Sequence, residues 1–131
     1  MIREETCPEY KIRQYISETA QGLAYLQLRE LVHGDVKPEN ILLDKDRKIK
    51  LVGYALEIDN PSLGSLYYRS PEVCKGEPCT DKSDIWSLGC VAYELCSSRV
   101  LQSITHRNHL MGRMRLKLRV ISVMKTIIIN L

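Results

Sequence analysis

The chain has 131 residues, of which 44% are hydrophobic and 27% are charged, with a formal net charge of +3. This length allows one small core, and the composition is ordinary for a soluble globular protein. Five cysteines without a C-x-x-C pair favour free thiols in a reducing compartment over a disulfide framework, and no apolar run reaches the roughly 20 residues of a membrane helix. We therefore expect an intracellular protein, cytoplasmic or nuclear, without a membrane span.

The first predicted element is a helix over residues 7–28. Thr6 and Glu9 have the spacing of a capping box, in which each side chain accepts a hydrogen bond from a backbone N–H at the start of a helix. Apolar residues then recur at helical spacing and predict one buried face, formed by Ile12, Tyr15, Ile16, Ala20, Leu23, Ala24 and Leu26.

A short β-hairpin is predicted next. Residues 41–43 and 49–52 are mostly apolar and flank the polar segment 44–48, which is typical of two strands joined by a tight turn. Residues 56–69 contain an Asn-Pro pair and a glycine, and this composition predicts a loop.

A second helix is expected to begin at Thr80 or Ser83, since either hydroxyl can cap it, and to end near Ser97. Its apolar side chains face several directions, which is typical of a buried helix. Together these elements predict a fold that is mainly α with one small β-hairpin.

Residues 32–44 contain the most informative combination of polar side chains. Within six positions the segment brings together Asp35, Lys37 and Asn40, and it then continues into the first predicted strand. Phosphoryl transfer needs a carboxylate to orient a hydroxyl, a cation to neutralise developing negative charge, and an oxygen ligand for a metal ion. The three side chains provide one group of each kind.

This segment resembles the catalytic loop of protein kinases, whose signature is H-R-D-L-x-x-x-N, with Gly34 replacing the arginine and Val36 replacing the leucine. The lysine two positions after the aspartate is the form usual in serine/threonine kinases. Downstream, Ser70-Pro71-Glu72 resembles the A-P-E motif, and residues 81–90 resemble the start of the buried central helix of the kinase large lobe. The residues around these motifs favour the NIMA-related kinases.

The resemblance implies a role for each matched residue. Asp35 would accept the proton of the substrate hydroxyl, Lys37 would neutralise the transferring phosphate, and Asn40 would hold a magnesium ion. The hydroxyl of Ser65 would bind substrate near the catalytic pair. Three further residues would be structural: His33, Glu72 and Asp84.

Two departures from the kinase pattern argue against full activity. Where the family has D-F-G, this chain has Gly53-Tyr54-Ala55, so the main carboxylate ligand for magnesium is missing and Asn40 alone would hold the ion poorly. In addition, neither a Gly-rich phosphate loop nor a V-A-I-K lysine precedes the catalytic loop. We therefore expect a partial kinase-like large lobe with the small lobe absent. The resemblance implies ATP and Mg²⁺ as cofactors, and these departures predict that both bind poorly.

The charge distribution divides the chain into a partial kinase-like domain over residues 1–99 and a divergent basic tail over 100–131. From residue 95 onward there are seven basic side chains and no acidic one. Such a tail could contact nucleic acid or an anionic membrane, or it could be a degenerate remnant of later kinase helices. The second interpretation is favoured, because no aromatic side chain interleaves the charges for base stacking.

Three hypotheses for function follow. The favoured one is a catalytically impaired kinase-like protein that acts as a binding or scaffold module. The second is an active serine/threonine kinase whose small lobe lies elsewhere in the gene product, and the third is a truncated product without a settled function. The expected partner is a protein, either as substrate or as binding partner, and the oligomeric state is left open.

Overall fold

The computed structural model describes residues 7–54 and 63–97, with side chains from residue 66 onward in the second range. The described chain has three α-helices, α1 (Glu9–Gln27), α2 (Pro71–Cys74) and α3 (Asp81–Ser97), and one antiparallel hairpin, β1 (Ile41–Leu43) with β2 (Ile49–Leu51). Two 3₁₀ helices, Pro38–Asn40 and Leu63–Tyr68, complete the order. The prediction of a mainly α fold with one small hairpin is confirmed.

Helix α1 buries one side of its surface, as its apolar spacing predicts. The buried side chains recur three or four positions apart and are Ile12, Ile16, Thr19, Ala20 and Leu23. Thr19 is the polar exception, and its hydroxyl donates to the Tyr15 carbonyl one turn earlier at 2.7 Å, so burial leaves it satisfied.

The predicted capping box at the start of α1 is wrong. The helix begins two residues later than expected, its N-cap is Pro8, and no side chain caps it. Glu9 lies in the first turn and pairs with Arg13 at 2.6 Å, one turn along the same helix, where its negative charge also complements the helix dipole. Thr6 lies outside the described residues.

The hairpin has the predicted strands and a turn organised by Asp44. Its Oδ1 accepts the backbone N–H groups of Asp46 and Lys48, each at 2.9 Å, which closes the turn by side-chain capping of the backbone. The strands pair Ile41 with Leu51 and Leu43 with Ile49. Of the predicted strand 49–52, the last residue lies outside the ladder.

Strand β2 packs closely on α1, and two residues of the helix make this possible. A Cβ at Gly22 would lie 2.9 Å from Leu51 Cδ1, so a larger residue there would require the Leu51 side chain to shift. Four residues earlier, Glu18 Oε2 accepts the backbone N–H of Ile49 at 2.9 Å. That hydrogen bond is the main reason why the pKa of Glu18 lies below its usual value.

Helix α3 packs against α1 and against the 3₁₀ helix Leu63–Tyr68. Its buried residues are Ser83, Asp84, Leu88, Val91, Ala92 and Cys96. The prediction of a buried helix is wrong at Trp86, which is 49% exposed. The described elements cover α3 on the side of α1, whereas Trp86 projects away from that contact.

The predicted loop over 56–69 is wrong for its second part, because residues Leu63–Tyr68 form a 3₁₀ helix. Residues 55–62, the side chain of Ser65 and the predicted tail 100–131 lie outside what the structure describes. The boundary between residues 99 and 100 therefore stays a prediction. Across the described ranges 7–54 and 63–97, no helix combines the length and apolarity needed to cross a bilayer.

Candidate functional site

The candidate catalytic loop is held from below by one carboxylate of α3. Asp84 lies in the first turn of that helix and is only 5% exposed. Its Oδ2 accepts the backbone N–H of His33 at 2.8 Å and its Oδ1 accepts the backbone N–H of Gly34 at 2.9 Å. Burial raises the pKa of the Asp84 carboxyl, and the two N–H donors oppose that rise. The predicted structural residue Asp84 thus lies directly against the loop.

His33 is enclosed by the same loop and uses both of its ring nitrogens. It is 2% exposed. The backbone N–H of Asp35 donates to Nδ1 at 3.1 Å, so Nδ1 is the acceptor, and Nε2 carries the proton that it donates to the Val52 carbonyl at 2.9 Å. The imidazole therefore joins the start of the loop to the segment after β2, and neither nitrogen is directed at a substrate.

Asp35, Lys37 and Asn40 converge on one small volume. Lys37 Nζ lies 3.0 Å from Asp35 Oδ2, and Asn40 Nδ2 donates to the Asp35 carbonyl at 2.8 Å and to Asp35 Oδ2 at 3.1 Å. The 3₁₀ turn Pro38–Asn40 brings the amide back toward the aspartate, since Pro38 favours a turn at its first position. Solvent still reaches the Asp35 side chain, which is 25% exposed. A carboxylate and an ammonium in this position can orient a hydroxyl and bind an anion.

Glu72 lies near the amino end of α3. Its Oε1 accepts the hydroxyl of Ser83 at 2.9 Å, and Ser83 Oγ in turn accepts the backbone N–H of Thr80 at 3.1 Å. The pKa of Glu72 lies below its usual value, first because its own backbone N–H donates to the carboxylate and also because Ser83 does. The predicted structural residue Glu72 thereby joins α2 to the start of α3.

Tyr68 and Glu94 form a contact that the sequence analysis missed. The hydroxyl of Tyr68 donates to Glu94 Oε2 at 2.6 Å, and the Ser87 hydroxyl donates to the Tyr68 carbonyl. Tyr68 is 6% exposed, and its burial, followed by the hydrogen bond to Glu94, raises its pKa. The contact fixes the end of the 3₁₀ helix on α3. Its only sequence signal was a glutamate within an otherwise apolar helical stretch.

Among the described residues, few side-chain oxygens are placed to bind a magnesium ion. Gly53 has no side-chain oxygen, and an added Cβ there would lie 2.9 Å from both Asn40 Oδ1 and Asn40 Nδ2. Because the amide nitrogen of Asn40 faces Asp35, N–H protons occupy the space that a cation between the two residues would need. Over ranges 7–54 and 63–97, the structure contains no group of three or more acidic, histidine or cysteine side chains able to hold a metal.

Comparison with known proteins defines the class. Residues 1–129 match the protein kinase domain family, and the chain therefore belongs to the protein kinase superfamily. The order of the catalytic loop, hairpin, A-P-E-like segment and central helix along the chain agrees with this assignment.

Among its relatives, the chain is similar to NIMA-related kinases, so the prediction of this resemblance is confirmed. It is 36% identical over 98 residues to the human serine/threonine-protein kinase Nek5, covering 68% of this chain and 14% of the relative. It is 36% identical over 97 residues to mouse serine/threonine-protein kinase Nek1, covering 68% and 8%. It is also 41% identical over 87 residues to Aurora kinase of Schizosaccharomyces pombe, covering 62% and 24%. The matched segments thus span about a quarter or less of each of these three relatives.

Proposed function

We propose that this chain is a serine/threonine kinase-like protein whose phosphotransfer is impaired and which acts as a binding or scaffold module. The observation that carries the proposal is the glycine at position 53, in contact with Asn40, where the kinase pattern has a metal-binding aspartate. The kinase family uses ATP with Mg²⁺ on protein substrates. Without that carboxylate, a loss of even roughly 4 kcal/mol in transition-state stabilisation lowers the rate about a thousandfold.

The described residues correspond, in this proposal, to the core of the kinase large lobe. The support is the chain order of the elements and the attachment of the catalytic loop to α3 through Asp84. In this assignment Asp35 and Lys37 are the catalytic pair, and Ser65 contacts substrate. On the hairpin, the apolar side chains of Leu42 and Leu43 are exposed. An exposed apolar surface of this kind favours a protein partner over a free monomer.

A second candidate function is an active kinase completed by a small lobe elsewhere in the gene product. The observation in its favour is the retained ion pair between Asp35 and Lys37 at 3.0 Å, which leaves the base and the cation of the reaction together. In such a protein Asp35 would orient the substrate hydroxyl and Lys37 would neutralise the phosphate in flight.

Thermal unfolding with ATP and Mg²⁺ tests the proposed impairment of this chain. A ligand at about 100 times its Kd stabilises a protein by about 2.7 kcal/mol, or roughly 10 °C for a domain of this size. We expect one cooperative transition whose midpoint does not move with ATP and Mg²⁺, together with no transfer of labelled phosphate to a general protein substrate. A cooperative transition distinguishes a folded module from a truncated product.

The control for the transfer assay is Asp35→Asn. Phosphate transfer by the wild-type chain that this variant lacks would contradict impairment and favour the active kinase. A midpoint shift of several degrees with ATP and Mg²⁺ would contradict it as well. A transition without cooperativity would contradict the assignment of a binding module.

A further inference from the structure

One side of α1 is exposed over most of its length and is uncharged. It lies opposite the side that is buried in the core, and we call it the outer face of α1. Tyr10 is 66% exposed, Tyr25 is 56% exposed and Leu28 at the C-cap is 84% exposed. The residues of the outer face, which recur three or four positions apart, are Tyr10, Gln14, Ser17, Gln21, Tyr25 and Leu28. On a surface helix this side normally carries charged residues, whereas enrichment in tyrosine and depletion of charge are typical of the core of a protein interface.

The acidic residue next to the outer face is turned toward the hairpin. Glu18 Oε2 accepts the backbone N–H of Ile49 at 2.9 Å, and Oε1 lies 3.5 Å from Lys48 Nζ. The carboxamide of Gln14 donates to the same Oε1 at 2.9 Å. Because these contacts hold the carboxylate against the hairpin, the outer face stays neutral where Glu18 adjoins it.

The side chains of the outer face follow a symmetric order along the helix. Tyr10 and Tyr25 lie equally far from the point between positions 17 and 18, and the same is true of Gln14 and Gln21. Two copies of α1 that pack antiparallel across a two-fold axis at this point therefore bring each Tyr10 against Tyr25 of the second copy. The same axis brings each Gln14 against Gln21 of the second copy. Aromatic rings can pack on each other, and carboxamides can exchange N–H···O hydrogen bonds. The antiparallel direction also places opposite ends of the two helix dipoles together, which a parallel pair does not.

The length of the outer face determines how strong such a pair can be. From Tyr10 to Leu28 the face spans about 27 Å, since each helical residue adds about 1.5 Å. One helix face of this length gives an interface below about 1,200 Å², at the small end of the range for specific complexes. We therefore expect a reversible dimer with a Kd of roughly 10–100 µM.

We infer that the outer face of α1 is a self-association surface on which a second copy of this chain packs antiparallel. A second copy is the partner that the symmetric order favours, because a two-fold axis requires one surface to be complementary to itself. An uncharged face meets this requirement without bringing like charges together. The inference goes beyond the proposed function, since the surface lies on a different element from the candidate catalytic loop and does not depend on whether phosphotransfer is impaired.

Sedimentation velocity of the full chain tests the dimer. As the concentration rises from about 1 to about 500 µM, the weight-average sedimentation coefficient should rise from the monomer value toward the dimer value. A coefficient that stays at the monomer value over this range would overturn the inference and leave the outer face to a partner of another kind.

Two charge variants test the antiparallel pairing. Gln14→Lys combined with Gln21→Lys places like charges opposite each other on both sides of the two-fold axis. Gln14→Lys combined with Gln21→Glu places opposite charges there, at the same two exposed positions. We expect the lysine pair to weaken the dimer by about tenfold, because two symmetry-related repulsions form. The lysine–glutamate pair should keep the Kd within about threefold of the wild-type value or lower it.

The matched control is Asp46→Asn combined with Glu77→Gln, which raises the net charge by the same amount as the lysine pair. Both residues are exposed and lie outside α1, so the Kd should not change. Lysine and glutamate are good helix formers, and circular dichroism checks that each variant keeps its helices. A wild-type Kd in the lysine pair would show that the copies meet elsewhere and would overturn the inference. Equal weakening by the lysine pair and the lysine–glutamate pair would overturn the antiparallel pairing.

The two proposals fail on different results. Phosphate transfer by the wild-type chain would end the proposed impairment, whereas the dimer would remain. A chain that stays monomeric would end the self-association and leave the impairment standing.

Discussion

Replacement of Asp84 by asparagine probes the attachment of the candidate catalytic loop to α3. The carboxylate accepts two backbone N–H groups, from His33 at 2.8 Å and from Gly34 at 2.9 Å. A carboxamide has a single oxygen, so one of these N–H groups would face an NH₂ group instead of an acceptor. The variant therefore removes one hydrogen bond and brings two donors together in a site where Asp84 is 5% exposed.

The expected loss can be worked out from these contacts. A hydrogen bond to a charged group contributes about 1.5–3 kcal/mol, and a buried donor without an acceptor adds a desolvation penalty. Removing the buried charge offsets part of this loss, since burial raises the pKa of Asp84 and disfavours its ionised form. A net loss of about 2 kcal/mol remains, which is roughly a 30-fold change in the unfolding equilibrium and about 8 °C in melting temperature.

Chemical unfolding measures the loss of stability, and amide NMR measures the loss of the hydrogen bonds to His33 and Gly34. Asp84→Asn should lower the free energy of unfolding and move the amide proton signals of His33 and Gly34 upfield. Asp81→Asn is the matched control, because Asp81 lies in the same helical turn but has a 37% exposed side chain. It should change stability by less than about 1 kcal/mol and leave both signals in place. Wild-type stability in Asp84→Asn, or unmoved His33 and Gly34 signals, would refute the reasoning.

Two further predictions concern the contacts of α1 and α3. The pKa of Glu18 lies below 4.5, mainly because its carboxylate accepts the Ile49 N–H, so the ionised side chain stabilises the fold above about pH 4.5 and this stabilisation is lost as pH falls below that value. The free energy of unfolding of Glu18→Gln, measured in urea, should therefore differ from that of the wild type at neutral pH and converge with it in acid. A difference that stays constant with pH would contradict this. Tyr68→Phe should cost about 1–2 kcal/mol, because buried Tyr68 donates to Glu94, whereas Tyr67→Phe should be neutral, since Tyr67 is 46% exposed. Because the pKa of Tyr68 is raised above 10, the stability that its hydroxyl contributes is present below pH 10 and is lost as pH rises above it. Equal free energies of unfolding for Tyr68→Phe and Tyr67→Phe would contradict the prediction.

Local sequence patterns were sufficient for the elements with strong periodicity. The apolar spacing along α1 predicted which side is buried, because a helix places residues three and four apart on one face. The hairpin followed from two apolar segments around a polar turn, and Asp44 closes that turn by bonds to residues two and four positions away. In both cases the residues that predict the element lie within the element itself or a few positions away.

Local patterns failed where distant contacts compete with them. The start of α1 was predicted from capping residues, but the helix begins after Pro8. The 3₁₀ helix Leu63–Tyr68 was predicted as loop, because its anchor is Glu94, 26 positions after Tyr68. The exposure of Trp86 was not predicted, because the sequence of α3 does not indicate which of its sides other elements cover.

The amino-acid sequence by itself determined the class of this protein, because the residues of the catalytic loop and the order of the later motifs are readable along the chain. It also determined that position 53 lacks a carboxylate. Tertiary structure alone decided that Asp84 meets the backbone of His33, 51 positions away, and that Asn40 occupies the space beside Gly53. These contacts depend on how the catalytic loop, the hairpin and α3 pack together, and a hydrogen bond or a steric contact over a few ångströms leaves no periodic signal in the sequence.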